Sequence, residues 1–187
     1  MNLPLKSSGT ITQFFIKKGI LTIESVLKWV QDLPYARNED RSDFIQVLID
    51  DRGTCSTKHA LVRALAIENN IESIQLLMCI YRMGINNTSN IDVILNTFQL
   101  PYIPEAHCYL CVNGTKIDIT NKQSSFCKIE HDIIEEQIIQ PCEIGDYKTE
   151  YHQTYIKNWI REKSIPYSFD EIWKIRELCI KALIFNS

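Results

Sequence analysis

Residues 52–70 read RGTCSTKHALVRALAIENN, a flexible start that runs straight into good helix formers. Leu61, Leu65 and the alanines recur at helical spacing, so the run predicts a helix. Thr54 supplies a capping hydroxyl, Gly53 permits a tight backbone approach, and Asn69-Asn70 closes the segment. Cys55 therefore falls in the first turn. A helix N-terminus carries unsatisfied N–H groups and the positive end of the macrodipole, and both favour thiolate over thiol. The N–H of Cys55 is also free to bind an oxyanion. A lone cysteine is more often buried and inert, so the position needs a partner.

The partner comes from residues 106–120, AHCYLCVNGTKIDIT. Asn113-Gly114 between two apolar-containing runs is a hairpin signal. With that turn, His107 lies opposite Thr120 and Tyr109 opposite Asp118. Side chains alternate along a strand, so His107, Tyr109, Asp118 and Thr120 share one face while Leu110, Val112, Ile117 and Ile119 take the other. Asp118 is the diagonal neighbour of His107, with Cβ atoms about 7–8 Å apart or somewhat less. A carboxylate can close that gap and hold the imidazole in one tautomer. The chain order is Cys, His, Asp, which a nucleophile, base and orienting acid require.

Working outward, a helix is expected over 22–33, capped by Thr22 and ended by Leu33-Pro34. A polar loop follows at 35–41, then a short helix at 43–49 and a turn at 50–53. Residues 73–83 read as a strand and 91–98 as a short helix. Helix-like stretches follow at 129–139, 148–162 and 169–184. Helices come first and strands next, without internal repeats or a long linker. That order predicts a single α+β domain over 1–187, with helices packed against an antiparallel sheet, a motif-bearing core at about 50–120 and a helical C-terminal part.

Gly53-Thr54-Cys55-Ser56 resembles the cysteine motif of transglutaminase-like proteins. Ala106-His107-Cys108-Tyr109 and Ile117-Asp118-Ile119-Thr120 resemble their histidine strand and their Asp-x-Thr strand. The resemblance covers 50–120 and implies a papain-like fold. It also implies acyl transfer through a thioester (peptide or amide hydrolysis, deamidation or cross-linking) by a Cys55–His107–Asp118 triad, with no cofactor and no metal. Cys108 and Tyr109 depart from the small residue and Trp that often follow the family's histidine. A second oxyanion donor is expected upstream of the cysteine, with Tyr35 and Asn38 as candidates. Domains of this type can also lose the triad and serve as non-catalytic binding modules, which is the alternative reading.

Other residues carry competing readings. His59 lies one helical turn from Cys55 and could reach the sulfur, but a packed helical histidine is the simpler expectation. Lys58 is expected to face solvent. Cys108-x-x-Cys111 with Cys127-x-x-x-His131 has zinc-like spacing. On a strand, however, Cys108 and Cys111 point to opposite faces, so no metal is expected. Tyr167, Phe169, Trp159 and Trp173 read as core.

Composition fits this picture. The chain has 187 residues, 45% hydrophobic and 23% charged, with a formal net charge of −3. Its cations are scattered, which argues against nucleic acid as a partner. The apolar runs are far short of the roughly 20 residues that span a bilayer, which argues against a membrane partner. The N-terminal residues lack a basic region followed by an apolar run, and seven cysteines form no disulfide framework. A cytoplasmic location is therefore expected. The substrate class stays open among peptide, protein and small amide, as does water against an amine as acceptor; the residues are silent on oligomeric state.

Overall fold

Ile74–Met83 forms β1, a run in which all but Gln75 and Arg82 are buried. Such a strand needs cover on both faces, and the computed structural model, which describes residues 3–184, provides it. Around β1 lie β2 (Ile103–Val112), β3 (Thr115–Ile117) and β4 (Ile133–Ile139), in the antiparallel order β3-β2-β1-β4. One face carries α1 (Thr10–Lys17), α2 (Ile23–Asp32), α3 (Gln46–Asp50) and α4 (Cys55–Glu68). The other carries α5 (Asp92–Thr97), α6 (Asp146–Glu162) and α7 (Phe169–Ile184). The architecture is α+β.

Alternation along the strands divides the core in two. Ile74, Leu76 and Met78 pack with Cys108, Leu110, Ile119 and the buried side of α4. Leu77, Cys79, Tyr81 and Met83 pack with Tyr109, Ile156, Trp159, Ile172 and Ile175. Each such Leu or Ile stabilises the fold by about 1.5–3 kcal/mol. Cys108 lies in the first cluster and Cys111 against the second, so the two thiols do point apart.

The Asn113-Gly114 turn has both residues at positive φ, and it sets the register. Leu110 pairs with Ile117, Cys111 with Lys116 and Val112 with Thr115. The second strand, expected to reach Thr120, stops at Ile117. The cause is local: Asp118 Oδ1 accepts from the Thr120 N–H at 2.9 Å and its hydroxyl at 2.6 Å, which bends the chain out of the ladder.

Two further expectations are corrected, and one helix is added. Residues 129–139 do not form a helix; after two short 3-10 turns, Ile133–Ile139 becomes β4 and pairs with β1. Its β-branched isoleucines suit a sheet, and β1 would otherwise offer an unpaired edge. Thr10–Lys17 is a helix that sequence reasoning did not propose. Lys58 is fully buried instead of facing solvent, its ammonium donating to the Leu33 and Thr120 carbonyls at 2.6 Å each.

A buried ion pair ties the sheet to the C-terminal helix. Glu105 on β2 receives two bonds of 2.6 Å from the Arg176 guanidinium on α7. Arg176 also reaches Glu177 at 2.6 Å, and Arg37 holds Glu177 from the other side at 2.7 Å. Among the described residues no helix is long and apolar enough to cross a membrane.

Candidate active site

Cys55 is the first residue of α4. Thr54 and Thr57 cap that helix reciprocally, the Thr54 N–H donating to Thr57 Oγ1 at 3.0 Å. The Cys55 N–H, one position into the helix, has no intrahelical acceptor. Gly53 is demanded by space, since a Cβ there would lie 2.9 Å from Thr57 Oγ1 and 2.9 Å from Val47 Cγ2. The bare backbone lets residues 34–36 dock alongside: the Ala36 N–H donates to the Gly53 carbonyl at 3.2 Å, and the Gly53 N–H to the Pro34 carbonyl at 3.3 Å. This short parallel bridge places Tyr35 beside Cys55, where both line the same cavity.

Asn38 has a different task. Its amide donates to Asp50 Oδ2 and to the Arg52 carbonyl at 3.0 Å each, and its oxygen accepts from Thr57 Oγ1 at 3.0 Å. Both amide protons are spent bracing the turn before Cys55. Of the two expected oxyanion donors, Tyr35 remains the one at the cavity.

His107 stands on β2 with Asp118 Oδ2 2.9 Å from its Nε2. The ring is flanked by Tyr81 at 5.9 Å and Tyr109 at 6.4 Å, centroid to centroid. With Nε2 committed to Asp118, Nδ1 is the ring nitrogen left for Cys55, which lines the same cavity and lies close enough for the two charges to interact. Cysteine, imidazole and carboxylate thus line one cavity. Tyr109 turns its hydroxyl away to Glu136, which Lys116 also holds at 2.7 Å.

Beneath these residues lies His59, which does not serve as the base. Its Nδ1 meets the Cys55 carbonyl at 2.6 Å and its Nε2 accepts the Ile119 N–H at 2.9 Å. A carbonyl can only accept and an amide can only donate, so the tautomer is fixed as neutral with the proton on Nδ1. Burial pushes its pKa down to about 4, against the pull of the Asp118 carboxylate.

The charge states follow from the neighbours. Burial pushes the Cys55 thiol up, but the His107 imidazolium beside it outweighs that and brings the pKa to about 6. Burial pushes His107 down, yet the carboxylate of Asp118 and the thiolate raise it to about 10. Asp118 is held well below the usual range because His107 outweighs burial. These directions favour a thiolate–imidazolium pair over a neutral thiol and imidazole. The thiols of Cys79 and Cys108, buried without such a cation, are pushed up instead.

No family model, curated protein or solved structure matches the chain. All seven cysteines are free, and among the described residues no group of three or more His, Cys, Asp or Glu is placed to hold a metal ion.

Two cavities meet at Cys55. One, of about 160 Å³, holds His107, Asp118 and Tyr81 and is walled by the loops bearing Asn87, Thr88 and Gln123. The other, of about 130 Å³, lies toward α6 and α7 and is lined by Arg37, Arg41, Lys148 and Arg176. Sequence reasoning missed these cations, which come from three separate places in the chain; only the fold assembles them.

Proposed function

We propose that this protein is a cysteine-dependent acyl-transfer enzyme on a transglutaminase-like, papain-like scaffold, in which Cys55, His107 and Asp118 act as a triad. The observation that carries the reading is the His107 ring, braced by Asp118 at 2.9 Å and sharing a cavity with a thiol at a helix tip. The Cys55 thiolate attacks an acyl carbon. The oxyanion formed is met by the Cys55 N–H, with the Tyr35 hydroxyl as second donor. His107 passes its proton to the leaving amine, and a thioester remains. His107 then takes a proton from water or an acceptor amine, which attacks the thioester and releases Cys55. Asp118 keeps the ring in the productive tautomer throughout.

The substrate class this reading favours is an extended chain, a peptide or a protein segment. Support comes from Cys55 lying between two cavities, so that substrate can continue on both sides of the acyl carbon. A reducing compartment such as the cytoplasm suits the reading, because an oxidised Cys55 cannot attack.

The test is turnover of p-nitrophenyl acetate, an activated acyl donor. A burst of nitrophenol with one acetyl group on Cys55, absent in Cys55→Ala of unchanged fold, is the expected outcome. Wild-type turnover in Cys55→Ala sinks the proposal and leaves a binding scaffold.

A further inference from the structure

The cavity on the α6–α7 side is cationic. Arg37, Arg41, Lys148 and Arg176 line it, with Glu105 as its acid and Glu177 just behind. The two carboxylates are fully engaged: Glu105 by the fork of Arg176, and Glu177 by Arg37 and Arg176. His152, also at the wall, is turned to the Pro104 carbonyl at 2.9 Å and held neutral by burial, so it neither adds charge nor cancels any. Arg41 and Lys148 make no close hydrogen bond or ion pair among the described residues; Arg41 meets Glu177, and Lys148 meets Glu105, only as longer-range charges. Lys148 is close enough to Cys55 to favour its thiolate.

The cavity on the other side of Cys55 is different in kind. Asn87, Thr88, Asn121, Gln123 and Ser124 give it a polar wall; Lys128 there donates to the Gln123 carbonyl at 2.8 Å, and His107 is paired with Asp118 at 2.9 Å. A chain lying across Cys55 therefore meets mainly amide and hydroxyl groups on one side and two cations without a close partner on the other. An anionic group fits the second better, where four cations line the wall. A guanidinium and an ammonium converging on one small space suit a carboxylate, which can accept from both at once.

Building on the acyl-transfer reading, we infer that the substrate is an acidic peptide segment, whose Asp or Glu side chain next to the reacting acyl group is received by Arg41 and Lys148.

Two reagent pairs test this. Iodoacetate and iodoacetamide differ only in charge, and the ratio of their rates on Cys55 cancels the fraction of thiolate. The ratio is expected to fall about tenfold in Arg41→Gln/Lys148→Gln, and to fall in wild type as sodium chloride is raised. The second pair is peptidyl vinyl sulfones with Glu or Gln next to the electrophile. The Glu probe is expected to label Cys55 faster, with the preference lost in the double variant. An unchanged iodoacetate ratio in the double variant, or equal rates for Glu and Gln probes, overturns the subsite while leaving the triad standing. A phosphoserine probe that outruns Glu overturns the carboxylate assignment. Failure of every reagent to label Cys55 overturns the acyl-transfer reading and this one with it.

Discussion

The Cys55 carbonyl and the His59 ring are joined by a 2.6 Å hydrogen bond, and the same ring takes the Ile119 N–H on its far side. One neutral imidazole thus spans from the helix that starts at Cys55 to the chain segment that bears Asp118. Asp118 Oδ1 lies 3.6 Å from His59 Nε2, so the carboxylate is seated on the ring that links both segments. The relative position of thiol and acid is set by this bridge.

A pH-dependent stability follows. His59 has a folded pKa of about 4, below the ordinary 6.5, so the unfolded chain binds the proton first. Stability is therefore lost as pH falls from about 6.5 to 4, by up to roughly 3 kcal/mol for this one group. His152, lowered to about 4 by burial, adds to the loss. Urea midpoints across this range should fall with pH, and His59→Gln should show a shallower fall.

Asp118→Asn should lower turnover on the order of 10³-fold or more, because the amide permits the wrong tautomer of His107. The variant should also release the imidazolium that holds Cys55 as thiolate. The midpoint of Cys55 alkylation should then move upward from about 6. Measuring rate and midpoint together separates this effect from simple unfolding, which would raise the reactivity of the buried thiols Cys79 and Cys108 as well.

Arg176→Met leaves Glu105 buried without its partner and should cost about 3–5 kcal/mol by denaturant unfolding. Glu105→Gln combined with Arg176→Met should recover much of that loss. A double variant as unstable as the single one contradicts this view of the pair.

Gly53→Ala forces a methyl to within 3.0 Å of three side-chain atoms under the Cys55 turn. A stability loss of about 1–3 kcal/mol is expected from the overpacking. Turnover of p-nitrophenyl acetate should fall further than stability alone explains, since the bridge to residues 34–36 positions Tyr35. Unchanged burst kinetics would contradict that role.

The His107–Asp118 pair on the hairpin and the helix-tip position of Cys55 were legible because each depends on neighbours in sequence. An Asn-Gly turn fixes which residues face each other, and a capped helix start places Cys55 whatever the rest of the chain does. What stayed hidden depends on long-range docking. The spacing from Cys55 to His59 was visible, but the bond from Ile119 to His59 exists only once α4 packs on the hairpin. Glu105 and Arg176 meet across 71 residues. Lys58 looked like a surface lysine because a helix pattern shows which residues are polar, not which carbonyls await them. In β4 the paired isoleucines of IIEEQII fit a helix and a strand alike, and the open edge of β1 decides between them.

The central claim is tested most directly by the pH dependence of Cys55 alkylation with iodoacetamide, followed by mass spectrometry of the labelled peptide. The account predicts a midpoint near pH 6, where an ordinary thiol is only about 0.3% thiolate, and marked slowing at that pH in His107→Ala. A midpoint near 8.5 that His107→Ala leaves unmoved would show a thiol indifferent to its imidazole and would contradict it.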